Sequence, residues 1–283
     1  MAKYFYSYFK GVIYSINNIV TNFMQVKKLI SNWYEIILFE CGLKSSIEVH
    51  LKYTNRVYKI NSIRTYNRFW YELPSYNKKI AKTYLQRLGS EYDFLTVKNN
   101  NVIDIGASFG DTAIHFAFAG AKKIWAIEPY PYTFNIAKRN IKSNGLEKKI
   151  ILIRAAAGKP KNVHVLKRYI TSGGSDLSHI SDNGIKTRVY SLKELINKFK
   201  IPKNSLLKVD CEGCEYSLLL CADNQTLRRF KLIQLEYHYG YLDLVNKLKQ
   251  AHFKVTYTWP RFSLNNDASN KKTFVGYIYA QRI

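Results

Sequence analysis

From about residue 100 onward, the chain alternates between short apolar runs and stretches in which apolar side chains recur every three or four positions. Short apolar runs are typical of buried strands, and the recurring spacing is typical of helices with one buried face. The pattern predicts strands over residues 102–104, 122–127, 149–154, 206–209 and 232–238, and helices over residues 113–119, 132–143 and 192–199. This alternation predicts a doubly wound, mostly parallel α/β sheet.

The last two patterned stretches, residues 253–258 and 273–280, alternate apolar and polar side chains in the manner of half-buried strands. They predict an antiparallel hairpin that closes the sheet. Residues 155–158 are Ala-Ala-Ala-Gly, and the small side chain of Ala156 predicts either a contact with a flat adenine ring or an ordinary tight turn. The polar segment over residues 172–176 predicts a lid or an acceptor-binding loop.

Residues 1–40 carry apolar side chains close to a 3.6-residue repeat, which predicts one long amphipathic helix or two shorter ones. Polar residues interrupt the stretch too often for a membrane-spanning helix, which needs about 20 mostly apolar residues. The helix is expected to pack on the domain or on a second copy of the chain as a homodimer, with peripheral membrane contact as the alternative.

The rest of the N-terminal region predicts two further elements. Alternation over residues 47–53, a turn at residues 54–55 and an apolar run over 57–60 predict a small β-hairpin. Residues 76–88 predict a helix that leads into the α/β domain. The expected division is therefore an N-terminal helical and hairpin extension, residues 1–95, followed by the α/β domain, residues 96–283.

The turn after the first strand of the α/β domain, DIGASFG at residues 104–110, predicts a cofactor site. An acid at a strand end, small residues and a helix start bring a carboxylate and unpaired N–H groups to one crevice. Gly106 and Gly110 permit the sharp turn and the close approach of a ligand. Ser108 stands where the dinucleotide fingerprint G-x-G-x-x-G has a glycine, so S-adenosylmethionine fits better than a dinucleotide. The predicted cofactor-binding residues of this turn are Asp104, Gly106, Ala107, Ser108 and Gly110.

The second predicted strand ends in Glu128, which lies 24 positions after Asp104. This offset is close to the roughly 20 residues that separate a glycine-rich turn from an acid that binds ribose hydroxyls. Glu128 is therefore the predicted ribose ligand.

Three blocks of this sequence resemble the signature blocks of FkbM-family methyltransferases: Asp104 to Thr112, Ala126 to Pro129, and Lys208-Val209-Asp210-Cys211-Glu212-Gly213-Cys214-Glu215. The resemblance covers residues 95–280 and departs from the family pattern at Ser108, where Asn is expected. It implies a class I, Rossmann-like fold with seven strands, S-adenosyl-L-methionine as cofactor and O-methylation as the reaction. It does not specify the acceptor.

Asp210, Glu212 and Glu215 follow the fourth strand, and Glu236 and His238 end the fifth. Carboxyl ends of parallel strands meet at one edge of a sheet, so these groups are expected close together. Asp210 is expected to contact both cofactor and acceptor, and Asp210, Glu212 and His238 are the predicted catalytic residues. His238 is expected to act as a general base with a pKa near 6–7. A divalent cation held by the acids is the alternative, although no metal ligand is assigned.

The net charge of +24 and the pI near 9.7 are typical of a protein that binds an anionic partner. The charge, however, is spread evenly over the chain. The even spread favours charge that only keeps the protein in solution. Nucleic acid is less favoured because no Asn-Pro-Pro-Tyr-like block, which is typical of amino-methylating enzymes, follows the fourth strand, and a glycan, lipid or small-molecule acceptor is expected. An RNA methyltransferase, and a non-catalytic module that binds membrane or nucleic acid, are the competing hypotheses. Four cysteines, including the isolated C-x-x-C of Cys211 and Cys214, are expected to be incidental, which favours the cytoplasm as the compartment.

Overall fold

The computed structural model describes residues 31–35, 38, 43–44, 46–50, 57–61, 92–165, 184–263 and 273–283. The chain divides into two compact units, Met1–Glu91 and Tyr92–Ile283. Most of the helix predicted over residues 1–40, the whole helix predicted over 76–88 and the lid predicted over 172–176 lie outside the described residues. These three elements remain predictions.

In the first unit, β1 (Ser46–His50) pairs antiparallel with β2 (Val57–Asn61), with His50 opposite Val57. The turn predicted between the strands lies outside the described residues. The side-chain oxygen of Asn32 accepts a hydrogen bond from the backbone N–H of His50 at 2.9 Å, which ties the described turn at residues 31–35 to the end of β1.

The elements of the second unit follow in chain order. Its strands are β3 (Asn101–Ile105), β4 (Lys123–Ile127), β5 (Ile150–Ile153), β6 (Ala156–Ala157), β7 (Lys161–Val165), β8 (Ile185–Tyr190), β9 (Ser205–Val209), β10 (Phe230–Tyr237), β11 (Phe253–Tyr257), β12 (Arg261–Ser263) and β13 (Thr273–Arg282). Its helices are α1 (Asp111–Phe118), α2 (Pro131–Ser143), α3 (Leu192–Lys198), α4 (Cys214–Leu219), α5 (Asn224–Leu227) and α6 (Leu242–Gln250).

The main sheet has the order β11-β13-β10-β9-β3-β4-β5, and β12 pairs with β13 outside this path. The five strands from β10 to β5 are parallel, whereas β13 runs antiparallel to both β10 and β11. This arrangement confirms the predicted seven-stranded, mostly parallel, doubly wound sheet. The chain passes from β3 outward to β5 and then returns to β9 on the other side of β3. The boundary between β3 and β9 is therefore the topological switch point, where such sheets bind ligands at the carboxyl ends of their strands.

The central strands are buried on both faces, which explains why they read as continuous apolar runs rather than as alternating ones. Every residue of β9 is buried, including Lys208 in an otherwise apolar setting. Ser191 caps the N-terminus of α3. Its hydroxyl accepts a hydrogen bond from the N–H of Glu194, and its own N–H donates to the Glu194 carboxylate. Such a reciprocal cap stabilises a helix by about 1 kcal/mol.

The structure contains a second, smaller sheet that the hydrophobic pattern did not predict. Its order is β6-β8-β7, with β6 parallel and β7 antiparallel to β8. Polar side chains alternate along β7, and β6 has two residues, so neither strand forms an apolar run. In the part of the chain that the structure describes, no helix has the length and apolar character required to cross a membrane.

Candidate active site

Asp104 and Lys208 form a buried ion pair at the switch point, where they lie opposite each other on β3 and β9. The Nζ atom of Lys208 is 2.8 Å from Oδ1 of Asp104, and it also donates a hydrogen bond to the carbonyl oxygen of Gly106 at 2.9 Å. Burial lowers the pKa of Lys208, but the carboxylates of Asp104 and Asp210 outweigh burial and leave this pKa raised. The lysine is therefore charged, and it ties the end of β3 to the turn that follows.

The turn after β3 is shaped by backbone contacts. The N–H groups of Gly106 and Ala107 both donate to the carbonyl oxygen of Ile127 at 3.0 Å, and Gly106 has a φ of +79°. A Cβ atom at position 106 would lie 1.8 Å from the carbonyl oxygen of Asp210. From the sequence, we expect a ligand to approach closely at Gly106. In the structure, the backbone at the end of β9 occupies this space instead. Gly106 therefore sets the spacing of the two strand ends.

Glu128 follows β4 and is 5% exposed. Its carboxylate accepts hydrogen bonds from the N–H of Ser108 at 2.9 Å, from the N–H of Tyr130 at 3.0 Å and from the hydroxyl of Thr133 at 2.6 Å. Burial raises the pKa of Glu128 to about 7, although the three donors lower it. The predicted ribose ligand is thus fixed against the turn that carries the other predicted cofactor residues.

Two further predicted cofactor residues are buried in the protein. Gly110 has a φ of +84°, and a Cβ atom there would lie 3.3 Å from the Cβ of Ala137, so the glycine lets α1 begin close to α2. Ala156 is 2% exposed and belongs to a small apolar cluster with Tyr130 and Val189. Its contact with an adenine ring remains a prediction.

A three-residue cluster of Asp210, Glu236 and His238 lies at the carboxyl ends of β9 and β10, where the acceptor end of the site is predicted. One side-chain nitrogen or oxygen from each residue lies within 4.8 Å of the others, and all three residues are buried. The structure thus brings together the groups that were expected at the ends of β9 and β10. The hydroxyl of Tyr92 donates to Oδ2 of Asp210 at 3.0 Å, a contact that spans 118 positions of the chain.

His238 is held between two carboxylates. Its Nδ1 atom is 2.8 Å from Oε1 of Glu215, and its Nε2 atom is 2.9 Å from Oε2 of Glu212. Burial lowers the pKa of His238, but the two carboxylates, Glu215 first, outweigh burial and hold this pKa well above its usual value. The expected pKa of 6–7 is therefore wrong, because the imidazolium is stabilised from both sides.

The segment between β9 and α4 is fixed by several local constraints. Cys211 and Cys214 form a disulfide, so the expectation that these cysteines are incidental is wrong for this pair. Between them, Glu212 has a φ of +57° and Gly213 a φ of +114°. A Cβ atom at Gly213 would lie 3.0 Å from the ring of Tyr239, so the segment packs directly on the residue that follows His238.

Sequence reasoning missed the roles of Lys208, Glu215 and Tyr92. A signal for Lys208 was present, because a lysine inside an apolar, doubly buried strand needs a buried acid as partner, and Asp104 lies on the neighbouring strand. Glu215 was seen as an acid but not as the partner of His238. The contact of Tyr92 with Asp210 depends on tertiary structure and leaves no local pattern.

A family model described as "Methyltransferase FkbM domain" matches residues 104–255, which is more than half of the chain. Among curated proteins, the chain is similar to the tRNA (guanine(37)-N(1))-methyltransferase Trm5b of Methanocaldococcus jannaschii, with 39% identity over 108 residues. That match covers 37% of this chain and 29% of the relative, so this chain spans less than a third of the relative's length.

Two solved structures illustrate the wider similarity. Precorrin-6y C5,15-methyltransferase from Geobacter metallireducens is 14% identical with a TM-score of 0.42, covering 68% of this chain and 84% of that one. M. capricolum TrmK, solved with S-adenosylhomocysteine, is 14% identical with a TM-score of 0.38, covering 69% of this chain and 67% of that one.

The residues at the switch point fit the cofactor of this family. Asp104 is fully buried, and among the described residues its Oδ2 atom has no hydrogen-bond partner, so an acceptor is available in the crevice. Glu128 lies beside it at the end of β4, where a carboxyl group can accept hydrogen bonds from ribose hydroxyls. The sheet order, the turn at residues 104–110 and the family match agree, and the chain belongs to the FkbM family of S-adenosylmethionine-dependent methyltransferases.

Proposed function

We propose that the enzyme transfers a methyl group to a hydroxyl oxygen of a glycan, a lipid or a small molecule. The observation that best supports this is the three-residue cluster at the carboxyl edge of β9 and β10, next to the cofactor crevice. A hydroxyl oxygen becomes a strong nucleophile when a nearby group takes its proton or stabilises the alkoxide. Buried carboxylates and an imidazole at this position suit that requirement.

The protein needs to do little covalent chemistry. When bound, S-adenosylmethionine supplies a methyl carbon on a sulfonium sulfur, and that sulfur keeps the electron pair of the broken C–S bond as the acceptor oxygen forms the new C–O bond. Asp104, Glu128 and the turn at 104–110 hold the donor side. Asp210 extends from β9 between the donor and the acceptor and orients the hydroxyl. Positioning of this kind is the main source of rate when the reagent is already activated.

The proton of the hydroxyl passes to Glu212 in this proposal. Glu212 keeps 28% of its side chain exposed, whereas its counterpart Glu215 is fully buried, so Glu212 can reach both an acceptor and solvent. His238 carries a proton on each ring nitrogen when both carboxylates hold it, so it positions Glu212 rather than accepting the proton itself. This assignment keeps all three predicted catalytic residues but changes the role of His238.

The proposal is tested by incubating the full chain with methyl-labelled cofactor and a cell extract separated into glycan, lipid, small-molecule and RNA fractions. We expect label in one of the first three fractions, in a methyl ether that resists mild base. The Asp210→Asn variant should leave that fraction unlabelled. Label that appears only in the RNA fraction and disappears after nuclease treatment would contradict O-methylation of these acceptors.

A second candidate function is methylation of RNA. It is supported by the 39% identity over 108 residues to a protein named as a tRNA methyltransferase and by the net charge of +24. A protein that binds RNA through its phosphates loses affinity steeply as salt rises. Filter binding of total tRNA between low and physiological salt, followed by labelled-methyl transfer, separates this candidate from the first.

A further inference from the structure

The three-residue cluster has the dimensions of a cation site. Two donor atoms bound to one divalent cation at 2.0–2.4 Å lie at most about 4.0–4.8 Å apart. The selected side-chain atoms of Asp210, Glu236 and His238 all lie within 4.8 Å of one another. The three atoms are therefore close enough together to be candidate ligands of a single ion.

The residue types define the class of ion. Carboxylates bind Mg²⁺, Ca²⁺ and Mn²⁺, whereas an imidazole favours first-row transition metals. Two carboxylates with one imidazole therefore suit a divalent transition cation such as Mn²⁺, which accepts both kinds of ligand. The remaining coordination positions are then available to an acceptor hydroxyl or to water.

The surroundings of His238 match those of a metal-binding histidine. Metal-bound imidazoles usually give their second ring nitrogen to a carboxylate, which fixes the ring. Both ring nitrogens of His238 face a carboxylate, at 2.8 and 2.9 Å. A bound cation would take the place of the proton on one nitrogen, which is released to solvent, while the other nitrogen keeps its proton and its carboxylate partner. The disulfide between Cys211 and Cys214 holds the segment that carries Glu212.

A second observation points to a missing positive ligand at the same place. Glu215 is fully buried, and among the described residues its Oε2 atom has no hydrogen-bond partner. Its other oxygen, Oε1, is the atom that contacts His238. A buried carboxylate oxygen without a donor is unfavourable, and a cation next to His238 would reduce that cost.

We propose that Asp210, Glu236 and His238 bind one divalent transition cation, which coordinates the acceptor hydroxyl and acidifies it. This inference rests on the proposed function for the role of the ion, but the binding of the ion can be measured without any acceptor. The hydroxyl proton leaves to Glu212, and the resulting alkoxide is stabilised by the cation until it takes the methyl group.

The test is a titration of the chelator-treated full chain with MnCl₂, followed by the loss of the paramagnetic resonance signal of free Mn²⁺. We expect one site per chain, with binding at least tenfold weaker in Asp210→Asn and in Glu236→Gln. Glu147→Gln removes an exposed carboxylate outside the site and should bind like the wild type. Circular dichroism on each variant establishes that the fold is intact, and cofactor affinity, measured on Glu236→Gln and Glu147→Gln, establishes that the cofactor site is intact.

Equal Mn²⁺ binding by the wild type and by both cluster variants would overturn the metal site. Full labelled-methyl transfer to a hydroxyl in excess chelator would overturn the role of the ion in the reaction, while leaving the proposed O-methylation in place. Site-specific Mn²⁺ binding without methylation of any hydroxyl fraction would instead contradict the proposed function and the role of the ion, and would retain the metal site.

Discussion

Glu128, at the cofactor end of the site, accepts hydrogen bonds from the backbone of Ser108 and Tyr130, which lie 20 and 2 positions away. His238, at the proposed acceptor end, contacts two side chains, those of Glu212 and Glu215. Glu215 lies 23 positions before His238 in the chain. A backbone N–H group remains a donor when the side chain of its residue is replaced. The contacts of His238 are lost when the side chain of Glu212 or Glu215 is replaced. We therefore expect the position of Glu128 to depend less on its neighbours, apart from Thr133, whose hydroxyl also donates to it, than the position of His238 depends on Glu212 and Glu215.

The largest effect is expected at the acceptor end. Glu212→Gln keeps the size of the side chain but removes the carboxylate that we propose as the acceptor of the hydroxyl proton. Turnover should fall by about 10²–10⁴-fold, the usual contribution of a general base, while cofactor affinity stays within about twofold. Single-turnover kinetics and calorimetric titration with the cofactor provide the two measurements. Glu147→Gln serves as the matched control, and near-normal turnover in Glu212→Gln would remove Glu212 from the mechanism.

The second effect concerns the ion pair of Asp104 and Lys208, which joins β3 to β9. Lys208→Met leaves Asp104 buried without its charged partner, and breaking a buried pair from one side costs about 3–5 kcal/mol of unfolding free energy. The double variant Asp104→Asn/Lys208→Met should recover a large part of this loss, because no unpaired charge remains. Urea denaturation of the two single variants and the double variant measures the coupling. Simple additivity of the two single effects would contradict the pairing.

The third effect tests the contact between the strand ends. Gly106→Ala and Gly145→Ala both introduce a Cβ at a positive φ, of +79° and +64°, which costs roughly 1–2 kcal/mol at each position. A Cβ at position 145 meets nothing within 4 Å, whereas one at position 106 meets the Asp210 carbonyl. Gly106→Ala should therefore lose about 1–3 kcal/mol more unfolding free energy than Gly145→Ala. Equal losses in thermal or urea denaturation would show that the strand ends can move apart freely.

The fourth effect belongs to the cofactor end. Glu128→Ala removes the predicted ribose contact and should weaken cofactor binding by about 1.5–3 kcal/mol, as expected for a charge-assisted hydrogen-bonded pair. Calorimetric titration with S-adenosylmethionine measures the change, with Glu147→Ala as the control for removal of a carboxylate. Unchanged affinity in a folded Glu128→Ala protein would remove Glu128 from the ribose site.

The smallest effect is a pH dependence of cofactor affinity. The pKa of Glu128 is raised from 4.5 to about 7, so the group is largely protonated below pH 7 and accepts ribose hydrogen bonds best above it. Affinity should rise by roughly tenfold through pH 7, and this part of the profile should vanish in Glu128→Ala. Thr133→Ala removes a donor that lowers this pKa, so the midpoint should move upward. A wild-type profile identical to that of Glu128→Ala would contradict the assignment.

The same shift affects stability in the opposite direction. Because the folded protein binds the Glu128 proton more tightly than the unfolded chain does, this group's contribution to the unfolding free energy is complete below pH 4.5. The contribution is lost as the pH rises toward 7. Bound cofactor favours the ionised carboxyl group and should reduce this loss in denaturation measured with and without the cofactor.

The same contrast between backbone and side-chain contacts determines what could be predicted from the sequence. The parallel strands β3, β4, β5, β9 and β10 follow from apolar runs, and the turn at 104–110 follows from its glycines, because both signals are local. The small sheet of β6, β7 and β8 lacks apolar runs and was missed. The pKa of His238 could not be predicted, because it depends on two carboxylates whose positions are set by the positive φ of Glu212 and by the packing of Gly213 on Tyr239.

Gly106 also bears on how the enzyme can acquire new acceptors in evolution. The strand ends that carry the donor and acceptor groups touch at this residue, with no space for one additional carbon atom. Reacting atoms must approach within about 3–3.5 Å, so a substitution that parts these ends would slow transfer to every acceptor alike. A change of acceptor preference that preserves the rate must therefore leave this contact between the strand ends intact.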